Sequence, residues 1–279
     1  MKIFGIVALY DPKNKDFENI STYINDLDYC YLMDDSSQDN EKRYKWFIEK
    51  YPNKIQYVHN KKNLGLCASV NKGFKLSIQN KADWILVMNP DGTFNKNAIN
   101  IYRNYIGNND CSKIAILAPQ YNFDRHPREK HSGTKRIDYA DMSGSLYNTN
   151  ILKKIGYYDP NTYFYGLDSE YCLRVKKNGL KIIECSEAVL NHHPATTQSL
   201  NLFGKSIFKY GKDSPERYYY QFRSGFYIHK KYHNYKQDMF MIYKLGKILI
   251  LFPNKKRYLF MVLRAYKDYK NNFYGKIKG

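Results

Sequence analysis

Three stretches of this 279-residue chain set carboxylates beside turn-forming residues, where they are placed to act on a ligand. Asp34-Asp35-Ser36-Ser37-Gln38-Asp39 follows an apolar run. A carboxylate there can accept hydrogen bonds from a base N–H or a ribose hydroxyl, although Asp and Ser equally suit a helix cap. Asn89-Pro90-Asp91-Gly92 follows a second apolar run. An acid there can hold a divalent cation, which favours oxygen ligands, although Asn-Pro and Asp-Gly are also simple turn chemistry. The third stretch runs from Tyr163 to Arg174 and contains Asp168 and Glu170. Acids two apart on a helix point in different directions, so one suits a general base and the other an orienting role. The plain alternative is acids drawn to the first turn by the helix dipole. His192-His193-Pro194 adds a candidate metal ligand, more often structural in such a pair. Arg217-Tyr218-Tyr219-Tyr220-Gln221-Phe222-Arg223 could grip phosphate or sugar, or pack as a basic amphipathic helix.

Something must bring these residues together. Ile3–Leu9, Tyr29–Met33, Ile55–His59, Trp84–Met88 and Ile114–Pro119 read as short buried strands. Helices are expected at Asn14–Asp26, Asn40–Tyr51 (capped by Asp39 or Ser37) and Leu66–Gln79. This alternation predicts an α/β fold with a mostly parallel sheet flanked by helices. In such sheets ligands sit beyond the carboxyl ends of the strands. Asp34, Asn63 and Asp91 each close or follow a predicted strand, so they fall on one rim. Further on, Asn148–Ile155 and Leu167–Asn178 read as helices and Lys181–Glu184 as a strand. Past Leu200 the strands are expected to stop. Ser214–Tyr232, Met239–Leu251 and Lys255–Lys270 read as basic helices.

Charge divides the chain the same way. The formal net charge is +19. From Leu200 onward eighteen Lys and Arg face four Asp and Glu, a net +14, which leaves +5 for the first 199 residues. We therefore expect two regions: a catalytic domain over 1–200 and a basic helical region over 201–279. The basic region suits an anionic membrane surface, packing on the body, or a homodimer contact. Five cysteines form no CxxC pair and no metal spacing, which fits a reducing cytoplasm. The apolar N-terminus stops at Asp11-Pro12 and lacks a cleavage site, and no run is long enough to span a bilayer. The expected location is cytoplasmic, with peripheral attachment to the inner face of the membrane where the basic region engages it. No nucleic-acid-binding motif appears, so nucleic acid is not the expected partner, although a non-enzymatic nucleotide- or nucleic-acid-binding protein is the reading from another class. A nucleotidyltransferase would carry a Gly-rich loop after the first strand, where Tyr10-Asp11-Pro12-Lys13 stands.

Order and spacing say more than any single motif. Val7-Ala8-Leu9-Tyr10-Asp11-Pro12, Asp34 to Asp39, Asn63-Leu64-Gly65 with Asn71-Lys72-Gly73, and Met88-Asn89-Pro90-Asp91 come first. Ser143-Gly144-Ser145-Leu146, Ile155-Gly156-Tyr157-Tyr158-Asp159, Asp168 to Arg174, Leu190-Asn191-His192 and Arg217 to Arg223 follow. Over Ile3 to about Tyr232 this series resembles the family 2 glycosyltransferases of GT-A fold, in their rhamnosyltransferase-like branch.

The resemblance implies an inverting, metal-dependent hexosyltransferase of cell-surface polysaccharide synthesis. It implies a nucleotide-sugar donor, dTDP-rhamnose first, with UDP-linked galactose, galactofuranose or glucose as alternatives. The acceptor would be a saccharide or a lipid-linked saccharide. Tyr10, Asp34, Asn63 and Asp91 would serve the donor. Asp91 and His192 would hold Mn2+ or Mg2+, Asp168 would be the base, and Gly144, Ser145 and Glu170 would border the acceptor. The chain departs from the family pattern at Asn89, where an acid is usual, at Leu167, where Glu is usual, at Glu170, where Asp is usual, and at Asp35, where Asn is common.

Overall fold

The computed structural model describes residues 1–123, 132–192, 196–202 and 205–278. Its strands are β1 (Ile3–Leu9), β2 (Tyr29–Asp34), β3 (Ile55–His59), β4 (Trp84–Met88), β5 (Thr93–Phe94), β6 (Ile114–Phe123), β7 (Thr134–Ile137), β8 (Ser145–Asn148), β9 (Lys181–His192), β10 (Thr196–Leu202) and β11 (Lys205–Lys212). The α-helices are α1 (Asn14–Ser21), α2 (Lys45–Lys50), α3 (Leu66–Gln79), α4 (Ala98–Asn108), α5 (Thr149–Ile155), α6 (Leu167–Lys177), α7 (Pro215–Tyr232), α8 (Tyr235–Leu251) and α9 (Lys255–Lys270).

The main sheet runs β3-β2-β1-β4-β8-β6-β9-β5, with β7 beside the first half of β9. β3, β2, β1 and β4 are parallel neighbours, and β6 and β9 are parallel again. β8 enters antiparallel between β4 and β6. Alternate residues of β1 feed opposite faces, as the pleat demands. Ile3, Val7 and Leu9 join Phe17, Ile20, Phe47, Ile99 and Tyr102 under α1, α2 and α4. Phe4 and Ile6 join Val70, Phe74, Leu152, Tyr171 and Val175 under α3, α5 and α6. Helices therefore cover both faces, as the alternating pattern requires.

Several bounds differ from expectation for local reasons. The helix expected over 14–26 ends at Ser21, because the Ser21 and Thr22 hydroxyls turn back onto the carbonyls of Glu18 and Asn19. A short 3-10 turn follows at Ile24–Asp26. The helix expected from Asn40 begins only at Lys45, because Asn40 is held by Asp34 and Tyr57. Asp39 accepts the Glu41 N–H but caps no helix, since Tyr44 occupies the N-cap. β6 continues past Pro119 through an irregular register, as a ladder containing a proline must.

Strands do not stop at Leu200. β10 and β11 form an antiparallel ribbon reaching Lys212. The three helices that follow own a core of Tyr218, Tyr219, Phe222, Ile248, Phe252 and Tyr258. They are not a loose tail. Ser224 Oγ donates to the Thr162 carbonyl, and Tyr227 and Lys231 both donate to Asp159 at 2.5 Å, docking α7 on the body.

Candidate active site

The carboxyl ends of β1 to β4 open onto one rim, tied together by short bonds. The Asp35 N–H donates to the Leu9 carbonyl, the Asn60 N–H to the Asp34 carbonyl, and the Asp11 N–H to Ser36 Oγ. Tyr10 stands just past β1 with 57% of its surface exposed, free to lie against a flat ligand. Asn63 bends the chain into α3, its Oδ1 accepting the Gly65 N–H at 2.9 Å. Gly65 has φ +84°, and a Cβ there would press into the Tyr163 ring at 2.4 Å. Tyr163 stacks on Tyr220, and burial pushes its phenol up to about 12.

Asp34 differs from its expected role. It is closed to solvent, and each of its oxygens accepts two hydrogen bonds. Oδ1 takes the Ser36 N–H and hydroxyl; Oδ2 takes Asn40 Nδ2 at 3.0 Å and the Tyr57 hydroxyl at 2.5 Å. With its hydrogen-bonding capacity filled, Asp34 holds the loop after β2 in place rather than facing a base. Asp35 is likewise buried against Asn60, and burial, then Asp34, raises its carboxyl above the ordinary range.

The next strand end carries Asn89-Pro90-Asp91, with Asp91 exposed. The Asn89 N–H donates to Ser143 Oγ at 3.1 Å, and Asn19 Nδ2 donates to the Pro90 carbonyl. The loop is therefore pinned from both sides. Register brings in a distant residue: Thr93 of β5 lies opposite Asn191 of β9, so the backbone of His192 falls opposite Gly92, beside Asp91. The His192 side chain lies outside the described residues, as does His193. Among the described residues no three His, Cys, Asp or Glu side chains converge into a metal cage. One carboxylate beside one imidazole position suits a cation held mainly by a ligand's own phosphates, the usual arrangement for Mg2+.

Gly144 and Ser145 correct a second expectation. Both are buried, so they do not border an open acceptor site. Gly144 has φ +81°, and a Cβ there would meet Pro119 at 2.9 Å and Leu190 at 3.0 Å. Its N–H closes onto the Val87 carbonyl, and Ser145 Oγ donates to the Asp141 carbonyl. This turn is the brace between the Asp91 loop and the segment before β8.

That segment meets Asp168. Asp168 lies at the start of α6, half-buried, with Oδ1 accepting the Ser169 N–H at 2.9 Å. The Tyr139 hydroxyl reaches Asp168 Oδ2 at 3.3 Å and Asp141 Oδ1 at 2.5 Å. Loss of water, first, and the Asp141 charge, second, push the Asp168 carboxyl up to about 7, where it is a far better base than an ordinary acid. Neither Tyr139 nor Asp141 stands out in sequence; the signal was an acid two residues before Ser143-Gly144-Ser145.

Glu170 is a third correction. It is fully buried and accepts from Arg174 Nη2 at 2.6 Å, Lys231 Nζ at 2.8 Å and the Tyr232 hydroxyl at 2.6 Å. Enclosed by these partners, it ties α6 to α7 and meets no acceptor. Arg223 is also buried: it donates to the Tyr219 hydroxyl and to the carbonyls of Tyr274 and Gly275, with the rings of Tyr219 and Tyr220 beside it. Of the two readings of that stretch, Arg223 takes the packing one.

A sheet that is parallel over β3, β2, β1 and β4 and covered by helices on both faces, with Tyr10 and Asp91 exposed past the ends of β1 and β4 and a raised carboxylate at the start of α6, has the architecture of a GT-A glycosyltransferase. The profile of the family described as "Glycosyl transferase family 2" matches residues 19–167, more than half of the chain. The chain belongs to that family. It is 21% identical over 279 residues to a dTDP-rhamnosyl transferase, RfbF, of Shigella flexneri, covering 92% of this chain and 91% of that protein. It is 20% identical over 220 residues to the low-salt glycan biosynthesis hexosyltransferase Agl10 of Haloferax volcanii, covering 70% and 68%. Two solved structures share the fold. GalNAc-T7, crystallised with UDP, GalNAc and Mn2+, superposes with a TM-score of 0.63 at 11% identity over 98% of this chain. TarS of S. aureus gives 0.54 at 18% identity over 95%. The chain spans 58% and 43% of those two proteins, less than two thirds of either.

Proposed function

We propose that this enzyme transfers a hexose, rhamnose from dTDP-rhamnose in the first place, to a saccharide or lipid-linked saccharide with inversion at the anomeric carbon. The observation that carries the reading is Asp168: a carboxylate raised to about 7 and aimed by two hydrogen bonds. An acceptor hydroxyl attacks the anomeric carbon, the bond to the diphosphate breaks, and the hydroxyl proton passes to Asp168. Such general-base help contributes roughly 10²–10⁴ in rate. Tyr10 faces the nucleoside, while Asn63 and the Asp34 network hold the rim to which it binds. Asp91 and His192 would hold Mn2+ or Mg2+, and a cation so held neutralises the charge of the departing diphosphate. The near full-length likeness to the Shigella enzyme supports rhamnose over the UDP-sugar alternatives.

The test is transfer from dTDP-rhamnose, UDP-galactose, UDP-glucose and UDP-galactofuranose, measured with wild type and Asp168→Asn. Activity with dTDP-rhamnose alone, lost in the variant, is expected. Turnover with a UDP-sugar only would overturn the donor, and undiminished transfer by Asp168→Asn would overturn the base.

The basic region supports a peripheral site on an anionic membrane surface. No helix among the described residues is long and apolar enough to cross a membrane. Tyr235, Met239, Ile242, Tyr243 and Ile250 nevertheless expose an apolar stripe along α8, and Phe260 and Leu263 do so on α9. Lys255 and Lys256, exposed at the start of α9, accompany them and would each contribute about 1 kcal/mol near an anionic leaflet. Flotation with phosphatidylglycerol-containing vesicles, but not with neutral ones, is expected. A stable dimer in solution that fails to float would assign the stripe to self-association instead.

A further inference from the structure

Tyr163 stands in a conformation that a bulky side chain rarely takes. Its φ is +45°, outside the regions such a residue ordinarily occupies. Strain of this kind persists where neighbours over-determine it, and it clusters at ligand sites. We propose that the Tyr163 ring packs against the nucleotide of the donor, beside Tyr10, and that residues 271–278 form a strap that positions it through Tyr220 and Arg223. The inference deepens the donor reading above and rests on the nucleotide binding at the Tyr10 rim.

Tyr163 belongs to that rim by its contacts. The Cys67 N–H donates to its carbonyl at 2.9 Å, and the missing side chain of Gly65, two residues after Asn63, leaves room for its ring. After burial, the Tyr220 phenol, the Asp35 carboxyl and the Tyr10 phenol raise its own ionisation further, so all three lie within electrostatic reach. Tyr220 covers one side of the ring, with centroids 5.3 Å apart and planes 28° apart. The ring is only half-buried, so part of it stays open to a ligand. A flat aromatic beside an exposed tyrosine suits a base or the apolar face of a ribose.

What holds Tyr163 there comes from far along the chain. The Ile277 N–H donates to the Tyr220 hydroxyl at 3.0 Å. The carbonyls of Tyr274 and Gly275 each accept from Arg223 at 2.7 Å. Arg223 is closed to solvent, and among the described residues no carboxylate pairs with it and its Nε finds no acceptor. A buried guanidinium without an acid depends on whatever else surrounds it. Here that is the two carbonyls of the strap, the Tyr219 hydroxyl at 2.9 Å, and aromatic rings, with those of Tyr163 and Tyr220 centred 6.0 and 5.2 Å from its charge. Strap, Arg223, Tyr220 and Tyr163 are therefore one packed unit. Loosening the strap opens Arg223 to water and frees Tyr163 to leave its strained conformation. Fixing Tyr163 against a nucleotide tightens the strap in return, because coupling between two sites is reciprocal.

The probes are dTDP and UDP, each with Mn2+, bound to the full chain. Tyr163→Leu should weaken nucleotide binding about tenfold, as expected for the loss of one aromatic stacking partner. Tyr163→Phe keeps the ring and should bind as wild type does. Tyr220→Leu leaves Tyr163 itself untouched and should weaken binding about threefold through the lost ring pair. Amide hydrogen exchange reads the coupling without any substitution. Saturating nucleotide should slow exchange at Ile277 in wild type and in Tyr163→Phe, and should not in Tyr163→Leu. Binding by Tyr163→Leu equal to wild type would overturn the contact. Exchange over 271–278 that ignores nucleotide in wild type would overturn the positioning role and leave the strap merely structural. A wild type that binds neither nucleotide would overturn the donor reading and the proposal with it, a result distinct from the other two, in both of which wild type binds.

Discussion

A base held in a place that disfavours its charge should weaken the fold that holds it. The Asp168 carboxyl stands at about 7 in the folded protein against an ordinary 3.8. Between those values the folded state binds the proton more tightly than the unfolded chain does, so stability falls as pH rises through that window and stays low above it. Three units correspond to about 4 kcal/mol, since one unit is about 1.4 kcal/mol. Water at the half-buried carboxylate reduces this to about 2 kcal/mol. Asp168→Asn keeps an oxygen for the Ser169 N–H and removes the charge. It should therefore stabilise the protein by about 2 kcal/mol at pH 8 and leave it unchanged near pH 4, while abolishing transfer. Urea unfolding at the two pH values, followed by tryptophan fluorescence, reads the difference directly. An inactive variant no more stable than wild type at pH 8 would refute the claim that the site stores strain in this carboxylate.

Three other substitutions probe the scaffold and the donor side. Glu170→Ala strips a buried acid from Arg174 and Lys231, and urea unfolding should show a loss of about 3–5 kcal/mol; a loss below about 1 kcal/mol would mean that water already reaches the network. Gly144→Ala places a Cβ 2.9 Å from Pro119 at φ +81° and should cost about 1–3 kcal/mol, with a raised donor KM because the Asn89 loop moves with it. Asp91→Ala should raise the Mn2+ concentration for half-maximal transfer by about tenfold or more, since even partners behind a ligand matter that much; an unchanged metal titration would release Asp91 from the role.

The strands of the donor half were legible because each is a short apolar run ending in turn residues. Ile3–Leu9, Ile55–His59 and Trp84–Met88 form at the expected residues, as do α3 and α9. β5 was not legible, because two residues carry no period and Thr93–Phe94 becomes a strand only by pairing with β9. β8 was missed for a related reason: Ser145-Leu146-Tyr147-Asn148 is buried throughout, so it shows no alternation. The same limit hid Asp141 and misplaced Glu170. A sequence shows that an acid is present, but its role follows from what the tertiary fold puts opposite it. Asp168 faces Tyr139 and Asp141, whereas Glu170, two residues on, faces inward to Arg174 and Lys231.

That inward network changes how the basic region should be probed. With a boundary near Leu200, a truncation there looks like the natural way to ask whether 201–279 binds membranes. The structure argues against it. Such a truncation takes away Lys231 and Tyr232 and leaves the Glu170 carboxylate with Arg174 alone, two residues from Asp168. It also bares Thr162 and Gly166, which Ser224 covers. Lost activity or lost flotation in the truncated chain would then report damage at the base as readily as a missing membrane contact. α7 joins the two: one end is bonded to α6, and Tyr218 and Phe222 carry the core that seats α8 and α9. Because that link is packed along its length, a membrane-bound α8 stripe would hold α6 and Asp168 at a set orientation to the surface. Ile250→Asp, at a position 77% exposed, disturbs the stripe without touching this joint. It should abolish vesicle flotation while leaving transfer to a water-soluble acceptor unchanged; flotation equal to wild type would place the contact elsewhere.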